Sequence, residues 1–166
     1  MILALDEYPL GVETTSGNHV VYDLRTDQAH FGAARVEGPA LVWKLDGDPG
    51  PGAWLLRCDR VDFPPGGIAY RHVHPGPGIR RLLSGELTIA RDDIAHTYRA
   101  GESWFEDAGD PVTATASATD ETAFIRVLLL PEEWRGRRTI RYLDPADGER
   151  PKLQRATVLL EEALTG

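Results

Sequence analysis

Short apolar runs separated by glycine and proline are the feature of this sequence that most restricts its fold. Seventeen glycines and twelve prolines are spread over 166 residues, and such punctuation is typical of chains built from many short strands. The pattern predicts ten strands: 20–24, 41–44, 54–62, 69–74, 80–84, 87–91, 95–99, 103–106, 112–117 and 123–130. Strands that follow one another without intervening helices indicate an all-β antiparallel sandwich or barrel.

The sequence from Pro131 onward has a different character. EEWRGRR, residues 132–138, is predicted to form a short helical turn, and RTIRYL, residues 138–143, an additional strand. RATVLLEEAL, residues 155–164, is ambiguous between helix and strand, because Leu, Glu and Ala favour a helix whereas the Thr-Val run favours a strand.

The charge balance restricts the partners. Twenty-six acidic and 18 basic residues give a formal net charge of −8, which argues against nucleic acid or an anionic membrane as the main partner. No apolar run approaches the roughly 20 residues that span a bilayer, and MILALDEYPL turns acidic too early for a signal peptide. Cys58 is the only cysteine, so we expect no internal disulfide and a cytoplasmic location.

Two histidines in the segment YRHVHPGPGIRRLL point to chemistry. His72 and His74 are two residues apart and project from the same face of a strand. Tyr70 shares their parity, and so do Arg80 and Leu82 if the PGPG turn closes a tight hairpin. Neutral imidazole is a common metal ligand, but two histidines alone fall short of the three protein ligands that a stable site generally needs.

The spacing around the histidines resembles the first motif of the cupin family. That motif runs glycine, five residues, His-x-His, three or four residues, glutamate, six residues, glycine. Gly66, His72, His74 and Gly85 stand at the matching positions. Gly78 occupies the place of the family's glutamate, which is a metal ligand.

A second cupin motif follows at the expected separation in GESWFEDAGDPV. It runs glycine, five residues, Pro-x-Gly, two residues, histidine, three residues, asparagine. Gly101 and Gly109 are in register. Asp107 stands at the proline position, Val112 at the position of the third histidine ligand and Ala116 at the asparagine position.

The resemblance implies a cupin-type double-stranded β-helix, a jelly-roll barrel of the kind called RmlC-like. We expect one domain over residues 1–166, with the barrel core at about 54–131. Extra N-terminal strands from residues 1–53 and a C-terminal arm from residues 132–166 are expected to pack on that core. Small cupins are often dimers, so the resemblance also implies a homodimer.

The missing family ligands leave two interpretations of the site. In the first, His72 and His74 bind one divalent transition metal (iron, manganese, nickel, copper or zinc), and Glu106 is the candidate third ligand. In the second, no metal is bound and the barrel interior holds a small organic molecule. An inward-pointing Arg80 would then recognise a carboxylate, or it would form a permanent salt bridge to Glu106 or Asp62.

The resemblance does not decide the function, since cupins include enzymes, binding proteins and storage proteins. One hypothesis is an enzyme acting on a small organic acid or polar metabolite, with His72, His74 and Arg80 as conditional catalytic residues. The alternative is a non-catalytic ligand-binding or regulatory barrel that has lost its metal. The predicted pocket-lining residues are Tyr70, Arg80, Leu82, Trp104, Val112 and Arg126.

Overall fold

The computed structural model describes residues 1–164, and most of its regular structure is β-strand. The strands are β1 Ile2–Tyr8, β2 Val12–Thr14, β3 His19–Asp23, β4 Gln28–Phe31, β5 Ala34–Val36, β6 Ala40–Asp46, β7 Trp54–Phe63, β8 Ile68–Val73, β9 Gly78–Ser84, β10 Glu86–Arg91, β11 Ile94–Arg99, β12 Ser103–Glu106, β13 Val112–Ala116, β14 Thr122–Pro131, β15 Arg141–Tyr142 and β16 Arg155–Ala163. A 3₁₀ turn, Glu132–Trp134, and a short helix α1, Pro145–Glu149, complete the described elements.

Two five-stranded antiparallel sheets form the barrel. Their strand orders are β11-β10-β13-β8-β15 and β12-β9-β14-β7-β16. Buried apolar side chains from both sheets meet in one cluster: Val61, Phe63, Ala69, Leu82, Leu87, Ile89, Trp104, Val112, Ala114, Ala116 and Phe124. The prediction of an all-β jelly-roll barrel is confirmed.

A third sheet, with strand order β1-β6-β3-β4, comes from the N-terminal part of the chain. Its Trp43 and Tyr22 share a core with Cys58, Ile125 and Val127, which belong to β7 and β14. The second barrel sheet is therefore covered on both faces, which explains why β14 is buried from end to end before Pro131 and reads as a continuous apolar run.

The segment after Pro131 contains two strands, β15 and β16. The predicted helical turn is the 3₁₀ turn, and the predicted extra strand is β15, which pairs with β8. β16 is a strand because it pairs with β7 along the edge of the second sheet, and this pairing outweighs the helix propensity of its Leu and Glu residues. The expected extra N-terminal strands are present, but the positions of β1, β2, β4 and β5 were not predicted. Helix α1 was not predicted; Asp144 caps it by accepting a hydrogen bond from the Ala146 amide.

The expectation of a tight hairpin between β8 and β9 is wrong. These two strands lie in different sheets, so the Pro-Gly segment after His74 crosses from one sheet to the other and closes no hairpin. Arg80 nevertheless faces the interior, because the inner faces of both sheets point toward the same core. Among residues 1–164, no helix is long and apolar enough to cross a membrane.

Gly78 lies where β9 approaches β14 closely. A Cβ atom at this position would be 2.5 Å from both the Val127 carbonyl oxygen and Leu128 Cδ2. A side chain at residue 78 therefore has no room, and the family's glutamate does not fit this backbone.

We expect Gly78→Ala to lower the free energy of unfolding by about 1–3 kcal/mol, as other overpacking substitutions do. Gly148→Ala is the control, since a Cβ there meets nothing within 4 Å, and its effect should stay within about 0.5 kcal/mol. Urea unfolding measures both. Equal stability of the two variants would contradict the close approach.

Candidate functional site

A cavity of about 580 Å³ lies between the inner faces of the two barrel sheets. Its apolar wall consists of Val61, Phe63, Ala69, Ile89, Trp104, Val112, Ala114 and Phe124. The C-terminal arm contributes a further side through residues between Gly136 and Glu161. The arm is therefore part of the cavity as well as a cover for the barrel.

One row of buried side chains crosses the second sheet. Strand register places Trp104 opposite Arg80, Arg80 opposite Arg126, and Arg126 opposite Asp59. Three of these four residues carry charge, and all four are at least 94% buried. Charges at this depth need partners, because an unpaired buried ion loses its hydration without compensation.

The next row supplies further partners. Glu106 lies opposite Gly78 on β9, and Arg57 lies opposite Glu161 on the arm strand β16. On the other side of the charged row, Leu82, Phe124 and Val61 form an apolar row. The charged layer of the cavity thus lies between an apolar layer and the arm.

Arg80 and Glu106 form the first buried ion pair. Arg80 Nη2 is 2.7 Å from Glu106 Oε2, and Arg80 Nη1 donates to the Gly78 carbonyl at 2.6 Å. Burial lowers the pKa of Arg80 to about 10, although Glu106 opposes the change. Burial alone would raise the pKa of Glu106, but Arg80 and a hydrogen bond from Trp104 Nε1 (2.8 Å) hold it below its usual range. Both side chains therefore carry charge near neutral pH.

Arg126 and Asp59 form the second pair. Arg126 Nη2 and Nε donate to Asp59 Oδ2 at 2.9 and 3.1 Å. Nη2 also donates to Thr139 Oγ1 at 3.1 Å, and Nη1 lies 3.4 Å from His74 Nε2. Arg126 thus links the barrel wall, a candidate site histidine and the arm.

Arg57 forms the third pair and fastens the arm. Its Nε donates to Glu161 Oε1 at 2.6 Å, while Nη1 and Nη2 donate to the carbonyls of Arg137 (2.7 Å) and Trp134 (2.6 Å). All three guanidinium nitrogens are used, and Arg57 is 99% buried. This one side chain fixes the loop after the 3₁₀ turn and β16 to the barrel.

His72 and His74 meet on the cavity wall, with their Nε2 atoms 3.2 Å apart. His72 Nδ1 is 2.7 Å from the Tyr70 carbonyl, and His74 Nδ1 is 2.7 Å from the Thr139 carbonyl. A carbonyl oxygen only accepts, so each Nδ1 carries the proton and each neutral ring presents a lone pair on Nε2. Burial lowers the pKa of both rings, and most strongly that of His74, where Arg126 and Arg80 add to the effect.

Two buried polar atoms of the charged row lack hydrogen-bond partners among residues 1–164. Arg80 Nη2 is close to Glu106, but no N–H bond of this nitrogen is directed at an acceptor. Asp59 Oδ1 accepts from no donor, since Arg126 uses the other oxygen. Unsatisfied buried groups on a cavity wall are unusual and provide hydrogen-bonding capacity for a ligand.

The structure brings most of the predicted pocket residues together. Arg80, Trp104, Val112 and Arg126 line the cavity, as do His72, His74 and Glu106. Leu82 lies on the inner face but is fully enclosed in the apolar cluster, so it does not line the cavity.

Tyr70 does not line the cavity because β8 contains a β-bulge. Ala69 pairs with Ala114 and His72 with Val112, so Tyr70 and Arg71 together lie opposite Thr113. The extra residue breaks the alternation on which the expectation for Tyr70 depended. Tyr70 instead lies under the Arg150 guanidinium, 4.5 Å from the ring centroid.

Three functional residues were missed by sequence reasoning: Arg57, Asp59 and Glu161. The signal for the first two was present, because Arg57 and Asp59 alternate with apolar residues in a strand that is otherwise buried. Asp62, considered as a partner for Arg80, belongs to the opposite face, where it binds Arg60 at 3.0 Å.

The donor set does not fit a resident metal. Glu106 Oε2 lies 3.9 Å from His74 Nε2, but both oxygens of Glu106 are already engaged, by Trp104 and by Arg80. A cation beside the histidines would also face the fixed charges of Arg80 and Arg126. Within residues 1–164, no three His, Cys, Asp or Glu side chains are arranged to hold a metal ion.

Residues 59–128 match the family model described as "Cupin domain". No curated protein sequence matches the chain at a significant level.

Several solved structures resemble about half of the chain. An RmlC-like cupin from Shewanella frigidimarina NCIMB 400 is 21% identical, with 52% of this chain and 83% of that chain covered and a TM-score of 0.42. A cupin-like protein from Thermotoga maritima MSB8 is 18% identical, with 56% and 77% covered and a TM-score of 0.45. The polyketide cyclase RemF from Streptomyces resistomycificus is also 18% identical, with 57% and 63% covered and a TM-score of 0.44.

We expect Arg80→Met to bind Zn²⁺ at least about tenfold more tightly than the wild type, because it frees Glu106 and removes one opposing charge. Competition with a fluorescent chelator measures the affinity, and circular dichroism checks folding. Arg81→Met is the control, since Arg81 points outward and binds Glu7 at 2.6 Å. Elemental analysis of untagged wild type that finds one metal per chain, lost in a His72→Ala, His74→Ala variant, would contradict this account.

Proposed function

This chain is a cupin-domain protein, and we propose that it binds a small organic acid inside the barrel without a resident metal. Arg80 is the main carboxylate-recognition group, and Arg126 supports it. The observation that carries the proposal is the buried Nη2 of Arg80, which has no directed hydrogen bond among residues 1–164.

The charge of the cavity wall supports an anionic ligand. The cationic lining residues are Arg57, Arg80, Arg126, Arg137, Arg138 and Lys152, and the acidic ones are Asp59, Glu106 and Glu161. The wall thus has an excess of three positive charges on a protein whose formal net charge is −8. A local excess of this sign raises the concentration of anions in the cavity, and guanidinium groups match the planar geometry of carboxylates.

The apolar row of the cavity supports a ligand with a hydrophobic body. Phe124 and Val61 lie directly beside the charged row, and Phe63 and Trp104 belong to the same wall. A carboxylate held at Arg80 leaves this apolar surface for the rest of the molecule, as in other sites that combine apolar walls with a few polar groups.

We expect phenylacetate to raise the melting temperature of the wild-type protein, whereas neutral phenylacetamide and cationic phenethylamine do not. Arg80→Lys should weaken phenylacetate binding about tenfold, because it retains the charge near Glu106 but loses the planar fork of donors. Arg81→Lys, on the outer face of the same strand, is the matched control. Equal stabilisation by the acid and the amide would overturn the proposal.

A second candidate function, an enzyme that transfers protons, is favoured by the histidine pair. Both rings line the cavity beside the proposed carboxylate site. His72, whose Nε2 has no donor among residues 1–164, is the candidate base that removes a proton from a bound ligand. The non-catalytic alternative uses the same contacts for binding alone.

Incubation of bound phenylacetate in D₂O separates the two candidates. An enzyme of this kind should exchange the hydrogens on the carbon next to the carboxylate, which proton NMR detects, and His72→Phe should abolish the exchange. His96→Phe is the control, since His96 lies exposed on β11. Binding without exchange would leave the non-catalytic function.

We also infer that residues 1–164 fold as one domain, since β16 pairs with β7 and Arg57 binds the arm. The homodimer stays a prediction. Exposed Ile94 and Phe105, on the edge strands β11 and β12, support an interface at these edges.

A further inference from the structure

The ring nitrogens with which the two histidines face each other lack hydrogen-bond donors. The carboxylate proposal does not involve these nitrogens. Both Nδ1 protons are donated to backbone carbonyls, so His72 Nε2 and His74 Nε2 are two acceptors only 3.2 Å apart. Two lone pairs facing each other repel, and neither ring can donate to the other in its neutral form.

The two rings differ in whether a hydrogen-bond donor lies near Nε2. His74 Nε2 has a donor nearby, because Arg126 Nη1 lies 3.4 Å away. His72 Nε2 receives a hydrogen bond from no donor in residues 1–164, its one contact being the lone pair of His74. His72 is 95% buried, so its unmatched acceptor is as unusual as the unmatched donor of Arg80.

These unmatched atoms belong to one connected group on the cavity wall. His72 Nε2 is 3.2 Å from His74 Nε2, which is 3.9 Å from Glu106 Oε2, which in turn is 2.7 Å from Arg80 Nη2. Asp59 Oδ1, joined to His74 through Arg126, is a further acceptor without a donor. The wall therefore lacks hydrogen-bond donors near its histidines, and Arg80 Nη2 makes no directed hydrogen bond although Glu106 balances its charge.

We propose that the ligand is a hydroxy acid, whose hydroxyl group donates to His72 Nε2 while its carboxylate accepts from Arg80. This inference rests on the proposed function and specifies its ligand class. His72 is then a specificity-determining residue that distinguishes a hydroxy acid from the corresponding plain acid.

The charge of the cavity favours a hydroxyl over an ammonium group as the donor. Amino acids also combine a donor with a carboxylate, but their ammonium group would enter a wall that already has an excess of three positive charges. A neutral hydroxyl supplies the hydrogen bond without that repulsion. A site with a buried acceptor discriminates strongly against ligands that leave it unpaired.

Two matched ligand pairs test the proposal on the full-length wild-type protein. They are mandelate against phenylacetate and 3-hydroxy-3-phenylpropanoate against 3-phenylpropanoate, with 2-phenylglycine as the amino acid. Isothermal titration calorimetry gives the affinities. We expect the hydroxylated member of at least one pair to bind about tenfold more tightly than its partner, and phenylglycine to bind more weakly than mandelate.

Two variants test whether His72 is the residue that distinguishes the hydroxylated acid from the plain acid. His72→Phe preserves a planar ring but removes the acceptor, so the ratio of affinities within the discriminating pair should fall to about one. His96→Phe should leave that ratio as in the wild type, because His96 lies on the exposed strand β11. A ratio that survives in a folded His72→Phe protein would overturn the assignment to His72.

The outcomes separate this inference from the proposed function. If plain and hydroxylated acids bind equally, the hydroxy-acid inference is wrong and carboxylate binding stands. If none of the four acids binds, the proposed function fails and this inference fails with it. If phenylglycine binds more tightly than mandelate, the donor is an ammonium group and the hydroxyl assignment is wrong.

Discussion

Three buried ion pairs on the inner face of one sheet determine much of this structure. Arg80–Glu106, Arg126–Asp59 and Arg57–Glu161 lie in two adjacent rows across the second barrel sheet. Removing water from six charges is unfavourable, and it is offset only when each charge has a close and well-oriented partner. The strand register, the bonds to arm carbonyls and the position of β16 together meet that requirement.

The requirement for paired charges also explains how a barrel that retains only the two His-x-His ligands of the family's metal site can be stable. In this chain Arg80 and Arg126 place fixed positive charge beside the histidines. Gly78 and Val112 stand at two of the family's ligand positions, and neither has a side chain that binds a metal. The close backbone contact at Gly78 leaves no room for a side chain there. The cavity therefore places two imidazoles beside fixed positive charges rather than beside further metal ligands.

Much of the fold was predictable from local patterns, since all ten predicted strands are present with ends that differ by at most two residues. Glycine marks real breaks between strands, such as Gly85 between β9 and β10, which adopts a φ of 72°. Errors arose where local rules meet tertiary structure. A bulge reversed the orientation of Tyr70, and the helix-or-strand ambiguity of β16 was decided by an edge of β7 far away in the sequence.

The site was only partly predictable for a related reason. The first-motif spacing identified His72 and His74, whereas Arg80 was selected by strand parity across an expected hairpin that the structure does not contain. The salt bridge of Arg80 to Glu106 was one of the two alternatives for that residue. Pairings such as Arg57 with Glu161 join residues 104 positions apart, and no short-range pattern reveals them. The tautomers of the two histidines depend on the carbonyls of Tyr70 and Thr139, which only the folded backbone brings into reach.

The position of the arm also has a consequence for biosynthesis. The ribosome completes β7, β9 and β14 before it has made β16, so Arg57 emerges about a hundred residues ahead of Glu161. Until β16 has been made, the nascent barrel contains a guanidinium group whose carboxylate partner does not yet exist. Closure of the cavity therefore waits for the synthesis of β16, and a chain that stops short of this strand would lack one wall of the cavity.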